Sequence, residues 1–245
     1  MPEDHFGERV AARYDVSSPE MFDPAVVDPA VDFLAELAGD GAALELGIGT
    51  GRIALPLAAR GVRVHGIDLS EAMVSRLRAK PGAETIETTI GDFATTRVDG
   101  SFTLAYLVYN TIGNLTTQDE QAACFENVAA HLEPGGCFVI ETGVPSVRHV
   151  PPGERFHVFD FGPTHVGIDE YDPERQGLVS HHFSLVDGQW ELGSTPFRYV
   201  WPAELDLMAR IAGMRLRERW SDWNREPFTS DSTEHVSVWE KPAQG

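Results

Sequence analysis

A glycine-rich segment in the first quarter of the chain limits the fold more than any other feature. Residues 45–52 read ELGIGTGR; the apolar run at residues 42–46 predicts a β-strand and residues 52–60 predict a helix. Glycine permits a tight turn and lets a ligand approach the backbone N–H groups at a helix N-terminus. The segment therefore predicts a ligand-binding strand–turn–helix unit.

Around this unit, apolar runs alternate with segments of helical periodicity. Helices are predicted at residues 29–37, 70–80 and 118–131, and strands at residues 62–68, 85–90, 102–108 and 137–141. Ser70 has the side chain expected of a helix N-cap. Such alternation predicts a parallel sheet with helices on both faces.

The pattern changes after residue 141. Strands without intervening helices are predicted at residues 156–161, 165–171, 178–185 and 190–199, followed by a helix at 202–212 and strands at 215–220 and 235–240. Asp187-Gly188 is a hairpin signal between two of these strands. We expect an α/β fold with a Rossmann-like, seven-stranded, mostly parallel sheet, helices on both faces and an antiparallel β insertion after the fifth strand.

Charge and composition limit the classes of partner. The chain carries 38 acidic and 19 basic residues, a formal charge of -19, which disfavours nucleic acid and anionic membranes. No apolar run approaches the roughly 20 residues of a membrane-spanning helix. An acidic N-terminus without an apolar signal segment favours a cytoplasmic protein. Cys124 and Cys137 are predicted to be small buried hydrophobes rather than a disulfide or zinc ligands.

Two carboxylates follow later strands at positions that suit a nucleotide-like ligand. Asp68 ends the second strand, 19 residues after Gly49, where it can accept hydrogen bonds from both ribose hydroxyls. The G-x-G-x-G spacing differs from the G-x-G-x-x-G dinucleotide fingerprint. Asp92, between Gly91 and Phe93, is placed to accept from an adenine amino group. The alternative for this pair is a turn aspartate beside a core phenylalanine.

On these residues the chain resembles the class I S-adenosylmethionine-dependent methyltransferases of the small-molecule type. The matching segments are ELGIGTG at 45–51, GIDLSEAM at 66–73, GDF at 91–93 and LEPGG at 132–136, and the resemblance covers residues 42–141. It implies S-adenosyl-L-methionine as methyl donor and S-adenosyl-L-homocysteine as product. The implied reaction is methyl transfer to nitrogen, oxygen or carbon of a small metabolite, mainly by proximity and orientation.

The resemblance assigns cofactor binding to residues at the ends of the first four strands and in the N-terminal segment. They are Tyr14, Glu45, Gly47, Gly49, Gly51, Asp68, Leu69, Met73, Gly91, Asp92, Phe93 and Val108. The glycines are expected to face the methionine and ribose of the cofactor, and Leu69 and Met73 to flank the adenine. Glu45 is expected to hold the loop, or a cofactor amine through water.

The resemblance also divides the single domain of residues 1–245. Residues 1–38 are expected to form an N-terminal helical lid, in which Tyr14 reaches the cofactor carboxylate or lies on a surface helix end. Residues 42–141 form the cofactor-binding core, residues 150–201 an antiparallel substrate lid, and residues 202–245 the end of the core sheet.

Methyl transfer from a sulfonium requires no catalytic motif, because the cofactor carries its own leaving group. An amine or hydroxyl acceptor must still lose a proton, and the candidate bases or substrate-positioning residues are Tyr14, Tyr109, His181 and His182. Neighbouring residues of a strand point to opposite faces, so at most one of the two histidines faces a cleft.

The sequence alone leaves several alternative functions possible. No metal-ligand spacing is present, so no metal is predicted; a divalent ion held by loop acids is the alternative. A catalytically silent S-adenosylmethionine-binding module is one rival. A nucleotide-dependent oxidoreductase is another, disfavoured by the glycine spacing and by the lack of a Tyr-x-x-x-Lys pair. We expect a small-molecule methyl acceptor as partner, neither nucleic acid nor membrane, and a monomer or homodimer.

Overall fold

A computed structural model describes residues 6–17 and 19–243, which contain two β-sheets. In chain order the strands are β1 (Ala42–Leu46), β2 (Arg63–Asp68), β3 (Glu87–Ile90), β4 (Phe102–Leu107), β5 (Leu132–Gly143), β6 (Phe156–Phe161), β7 (His165–Asp172), β8 (Gly177–Val186), β9 (Gln189–Arg198), β10 (Arg215–Trp220) and β11 (Glu234–Glu240).

The helices are α1 (Glu8–Ala11), α2 (Tyr14–Ser17), α3 (Pro24–Ala38), α4 (Ala54–Ala59), α5 (Glu71–Arg78), α6 (Gln118–His131) and α7 (Pro202–Ile211). Short 3-10 turns lie at Pro19–Phe22, Ala83–Thr85, Thr111–Asn114 and Ser146–His149. Side chains cap the longer helices: Asp23 caps α3, Ser70 caps α5 as predicted, and Thr117 forms a capping box with Glu120 on α6. Within the described part of the chain, no helix is both long and apolar enough to cross a bilayer.

The larger sheet has the strand order β10-β11-β5-β4-β1-β2-β3. β11 is antiparallel to β5 and to β10, and the other neighbours are parallel. The smaller sheet is the antiparallel meander β6-β7-β8-β9, inserted after β5. The predicted fold class is confirmed.

Helices cover both faces of the larger sheet with apolar side chains. One core cluster contains Leu34 of α3 and Leu57 of α4, and the other contains Phe125 of α6 and Leu205 of α7, all with no exposed surface. Burial on both faces accounts for the nearly continuous apolar runs in β1 and β4. Cys124 and Cys137 are free and buried, as predicted.

Several element boundaries differ from those predicted. β5 begins at Leu132 rather than residue 137, because the Pro134-Gly135-Gly136 stretch still bonds to its neighbours: the Gly135 amide donates to Lys241 at 2.7 Å. Helix α3 begins at Pro24, where Asp23 supplies the cap, and Pro29 is accommodated inside it. β3 begins at Glu87, after the 3-10 turn of Ala83–Thr85.

Candidate active site

The glycine-rich turn follows β1 at the carboxyl edge of the parallel strands. Gly47, Gly49 and Gly51 have φ angles of +70°, +55° and +82°, in the region that disfavours residues with a β-carbon. A β-carbon on Gly47 would stand 2.7 Å from Thr111 Cγ2, and one on Gly51 would stand 2.3 Å from Leu77 Cδ1. The positive φ angles and the lack of room for a β-carbon therefore both favour glycine in this turn.

Asp68, the last residue of β2, lies beside this turn because β1 and β2 are paired. Its Oδ2 accepts from the Gly49 amide at 2.7 Å, and its Oδ1 accepts from the Ser70 amide at 2.8 Å. The carboxylate thus joins the turn to the N-terminus of α5. A carboxylate oxygen carries two lone pairs and can accept more than one hydrogen bond, so this group suits hydroxyl donors.

Further along the same edge lie the other residues predicted to surround a base. A β-carbon built on Gly49 would stand 3.4 Å from Met73 Cε. One built on Gly47 would stand 3.9 Å from a ring carbon of Phe93. Both side chains are largely buried, and Leu69 is half-buried.

Gly91, Asp92 and Val108 complete this edge at the ends of β3 and β4. The Gly91 amide donates to the Asp68 carbonyl at 2.9 Å, which brings the two strand ends together. Asp92 Oδ1 accepts from the Ala94 amide at 2.9 Å, which is the geometry of a turn aspartate, the alternative to a ligand contact. Val108 is buried, and its carbonyl accepts from the Thr111 hydroxyl at 2.7 Å.

Glu45 is buried beneath the turn, with 2% of its surface exposed. The Tyr106 hydroxyl, on neighbouring β4, donates to its Oε2 at 2.8 Å. Burial raises the pKa of the Glu45 carboxyl to about 8, although the Tyr106 hydrogen bond and the nearby Arg52 charge act in the opposite direction. The carboxyl is therefore largely protonated near neutral pH.

Tyr14 and Tyr109, both predicted as catalytic candidates, meet at the mouth of the site with Arg52. The Arg52 guanidinium lies 5.0 Å from the centre of the Tyr109 ring. Burial raises the pKa of Tyr14, and Tyr109 and Asp68 raise it further while Arg52 lowers it. Tyr109 adopts a φ of +58°, and its amide donates to Glu141 at 2.9 Å. Such a conformation outside glycine is common at functional sites.

The N-terminal segment is fastened over the glycine-rich turn by Asp15. Its Oδ1 accepts from the Thr50 hydroxyl at 2.6 Å, and its Oδ2 lies 2.5 Å from the Lys80 ammonium. Lys80 also donates to the Thr50 carbonyl at 2.7 Å. These bonds place Tyr14, the preceding residue, beside the turn.

The insertion is joined to the core by a buried ion pair. Arg198, at the end of β9, is 2.7 Å from Glu204 of α7 and donates to Gln121 of α6 at 2.5 Å. Burial alone would raise the pKa of Glu204, but hydrogen bonds from Arg198, Gln176 and Gln118 lower it below its ordinary value. The pair therefore remains charged, and it holds the insertion against two helices of the core.

The two candidate histidines lie on opposite faces of the insertion sheet. His181 contacts Glu170 at 3.5 Å and Ser194 at 2.8 Å, whereas His182 contacts His165 at 3.0 Å and Ser180 at 3.2 Å. The structure therefore brings Tyr14, Tyr109 and the cofactor candidates together but separates the histidines from each other. Among the residues described, no group of three or more histidine, cysteine, aspartate or glutamate side chains is arranged to hold a metal.

Comparison with known proteins agrees with this geometry. A family model described as a methyltransferase domain matches residues 43–136. The solved structure of the CcbJ methyltransferase from Streptomyces caelestis is 38% identical, covers 88% of this chain and 89% of its own, and superposes with a TM-score of 0.80. The chain belongs to the class I S-adenosylmethionine-dependent methyltransferases. The predicted family is confirmed, and S-adenosylmethionine is its cofactor.

Two more distant relatives also match over most of their length. The cypemycin N-terminal methyltransferase of a Streptomyces species is 27% identical to this methyltransferase, over 92% of this chain and all of the relative. The CalS10 amino pentose methyltransferase from Micromonospora echinaspora is 18% identical, covers 93% of this chain and 96% of its own, and has a TM-score of 0.69. The latter likeness shows the fold.

Sequence reasoning missed three polar residues of this methyltransferase site. Arg52 follows the third glycine, where a cation next to a helix N-terminus is electrostatically unfavourable and so signals another partner. Lys80 is one of only two lysines in the chain, and its pairing with Asp15 joins positions 65 residues apart. Glu141 bonds both the Tyr109 amide and the Trp223 indole, a link that no local pattern reveals.

Proposed function

We propose that this chain transfers the methyl group of S-adenosylmethionine to the nitrogen of an amine in a small molecule or peptide. The observation that carries the proposal is the polar edge formed by the glycine-rich turn and Asp68, with the tyrosine-bearing N-terminal segment bonded to the turn and the insertion bonded to the core. The relative named for N-terminal methylation, matched over its whole length, supports nitrogen as the acceptor atom.

The turn fits the ribose and methionine part of the cofactor. Three residues without β-carbons leave the backbone of the turn accessible, and the Asp68 carboxylate at the end of β2 is the proposed acceptor for the two ribose hydroxyls. Leu69 and Met73 are proposed to flank the adenine, with Phe93 on its inner side and Asp92 near its amino group. Gly91 and Val108 would form the backbone of this pocket.

The methionine end of the cofactor is proposed to bind near Arg52. Its carboxylate would find there a guanidinium already stacked on Tyr109 and the hydroxyl of Tyr14. Glu45, beneath the turn, would support the loop rather than act as a charged partner, because its pKa of about 8 keeps it largely protonated at neutral pH.

When bound, the cofactor supplies an electrophilic methyl group on a sulfonium. The protein's contribution is then to hold the acceptor nitrogen in line and to exclude water. Alignment of this kind can lower a barrier by roughly 7–11 kcal/mol without a covalent intermediate. The N-terminal segment and the insertion, fastened by Asp15 and Arg198, are proposed to enclose the acceptor.

The test is incubation of the purified chain with S-adenosylmethionine carrying a labelled methyl group. The acceptor panel pairs amines with alcohols of matched structure: amino sugars with sugars, and free with acetylated peptide N-termini. We expect label on amines and formation of S-adenosylhomocysteine. Label only on oxygen or carbon would contradict the choice of nitrogen. Binding of S-adenosylhomocysteine without any transfer would favour the catalytically silent module.

A further inference from the structure

The insertion sheet presents a row of polar side chains on one face. Strand register places His182 of β8 opposite Gly167 of β7 and Gly193 of β9, and Ser180 opposite Asp169 and Thr195. Because paired residues point to the same side of a sheet, these side chains share one face, which we name the relay face. His181 belongs to the other face.

Residues of the relay face contact the core at one end of β9 and the N-terminal segment at the other. At one end, the Phe197 ring comes 3.7 Å from the position of a β-carbon on Gly113, in the 3-10 turn after β4. At the other end, Glu191 lies 3.7 Å from Arg9 of α1. Phe197 and Glu191 are both on the relay face, six positions apart along β9, or about 20 Å. His182 and Gly193 lie between these two contacts.

The space in front of this part of the sheet is open. A β-carbon built on Gly193, directly across from His182, would meet no atom within 4 Å. The residue has no positive φ, so a side chain there is not excluded by the backbone. The glycine thus leaves room for a bound molecule beside the imidazole.

His182 is part of a hydrogen-bonded chain. Asp160 Oδ2 lies 2.5 Å from His165 Nδ1, His165 Nε2 lies 3.0 Å from His182 Nδ1, and His182 Nε2 lies 3.2 Å from the Ser180 hydroxyl. Ser180 also bonds to Asp169. Two imidazoles in sequence, with a carboxylate at either end, form a path along which a proton can move.

The carboxylate of Asp160 determines the tautomer of both rings. A carboxylate only accepts, so the proton of neutral His165 is on Nδ1, and its Nε2 must accept from His182 Nδ1. The lone pair of neutral His182 is then on Nε2, which accepts from the Ser180 hydroxyl in this state; once Nε2 is protonated it donates to Ser180, whose hydroxyl proton turns to Asp169. This nitrogen is consequently the basic atom of the relay face.

We propose that His182 accepts the proton released by the acceptor amine, with His165 and Asp160 as positioning residues. This inference rests on the proposed function. An alkylammonium has a pKa of about 10.4, so only about one molecule in 2500 is neutral at pH 7. In the proposed step the N–H bond of the ammonium breaks, its proton bonds to His182 Nε2, and the electron pair stays on the nitrogen, which becomes nucleophilic.

The surroundings of His182 suit both of its protonation states. Partial burial lowers its pKa, and His165 and His181 lower it further while Asp169 raises it, so the ring is neutral near pH 7 and able to accept a proton. Phe159 of β6 packs edge-on against the ring, and His157 of β6 lies opposite Asp169. The imidazolium is stabilised through His165 by Asp160 and through Ser180 by Asp169.

The first experiment detects the tautomer in the intact chain without any acceptor. Protein labelled with ¹⁵N-histidine is titrated by long-range ¹H–¹⁵N NMR, and His182 is assigned from the signal lost in His182→Gln. We expect neutral His182 to carry its proton on Nδ1, and the substitution Asp160→Ala to shift the population toward protonated Nε2. A proton on Nε2 in both proteins would overturn the relay.

The second experiment measures methyl transfer against pH, using the amine that is methylated fastest in the acceptor panel. His182→Gln should lower kcat/KM about 100-fold or more at pH 7, with a gap that closes near pH 10, where the amine loses its proton in solution. His181→Gln, one residue away on the other face, removes one of the groups that lower the His182 pKa but leaves the base in place, so it should keep most of the wild-type kcat/KM at pH 7. A uniform loss in His182→Gln at all pH values, no loss in His182→Gln, or an equal loss in His181→Gln would overturn the proposal.

Binding of S-adenosylhomocysteine separates this inference from the proposed function. We expect the dissociation constant for this product to be the same in wild type and His182→Gln. Intact product binding with an unaltered pH profile would refute the role of His182 alone. Absence of product binding in the folded wild-type protein would refute the proposed function itself.

Discussion

The substitution Glu45→Gln should remove a specific pH dependence of folding stability. Burial moves the pKa of Glu45 from its ordinary value of 4.5 to about 8 in the folded chain. A raised carboxyl pKa means that the folded state holds the proton more tightly than the unfolded state. The stability gained from the protonated form is therefore complete below pH 4.5 and is lost as the pH rises toward 8.

The expected size follows from these two pKa values. The full displacement corresponds to about 5 kcal/mol, of which about 2 kcal/mol is lost between pH 6 and pH 8. Glutamine has no such proton and still accepts a hydrogen bond from Tyr106. We therefore expect Glu45→Gln to lose about 2 kcal/mol less folding stability than wild type between pH 6 and pH 8.

The assay is urea unfolding of wild type and Glu45→Gln, without ligand, at pH 6 and pH 8. Comparing the change in each protein cancels the titration of the histidines, which both proteins share. Glu133→Gln, at an exposed position on β5, serves as a surface control and should retain the wild-type pH dependence. The reasoning would be refuted if Glu45→Gln lost as much stability between the two pH values as wild type.

Three other substitutions test the packing that supports the site. Gly66→Ala places a β-carbon 2.2 Å from Ile48 Cδ1 beneath the glycine-rich turn, so it should cost about 1–3 kcal/mol in urea unfolding; an unchanged midpoint would contradict this. Arg198→Met leaves Glu204 charged and partly buried, so it should cost about 3–5 kcal/mol, and a loss under 1 kcal/mol would show that the pair does not anchor the insertion. Asp15→Asn should weaken S-adenosylhomocysteine binding about 10-fold by calorimetry while the unfolding midpoint changes little; equal affinity would remove the N-terminal segment from the site.

The core of the fold was predictable because its signals are local. The apolar runs of β1 and β4, the cap of α5 and the glycine-rich turn each follow from neighbouring residues. The position of Asp68 beside Gly49 also follows, since the ends of adjacent parallel strands meet at one edge.

The side-chain bonds that hold the N-terminal segment and the insertion in place were not predictable, because they join residues far apart in the sequence. Lys80 reaches Asp15 across 65 residues, and Arg198 reaches Gln121 across 77. The proposed role of His165 depends on cross-strand register, which spacing along one strand does not contain. The left-handed conformation of Tyr109 is likewise set by contacts with Glu141 rather than by its own side chain.

The most direct test of the account is a calorimetric titration of wild type and Asp68→Ala with S-adenosylhomocysteine, with NADH as the comparison ligand. Two hydrogen bonds to a charged group contribute roughly 1.5–3 kcal/mol each, so we expect micromolar binding by wild type and affinity about 100-fold or more weaker in a folded Asp68→Ala. NADH should not bind. Equal affinity in the two proteins, or binding of NADH alone, would contradict the assignment of the carboxyl edge of β1 and β2 as the cofactor site.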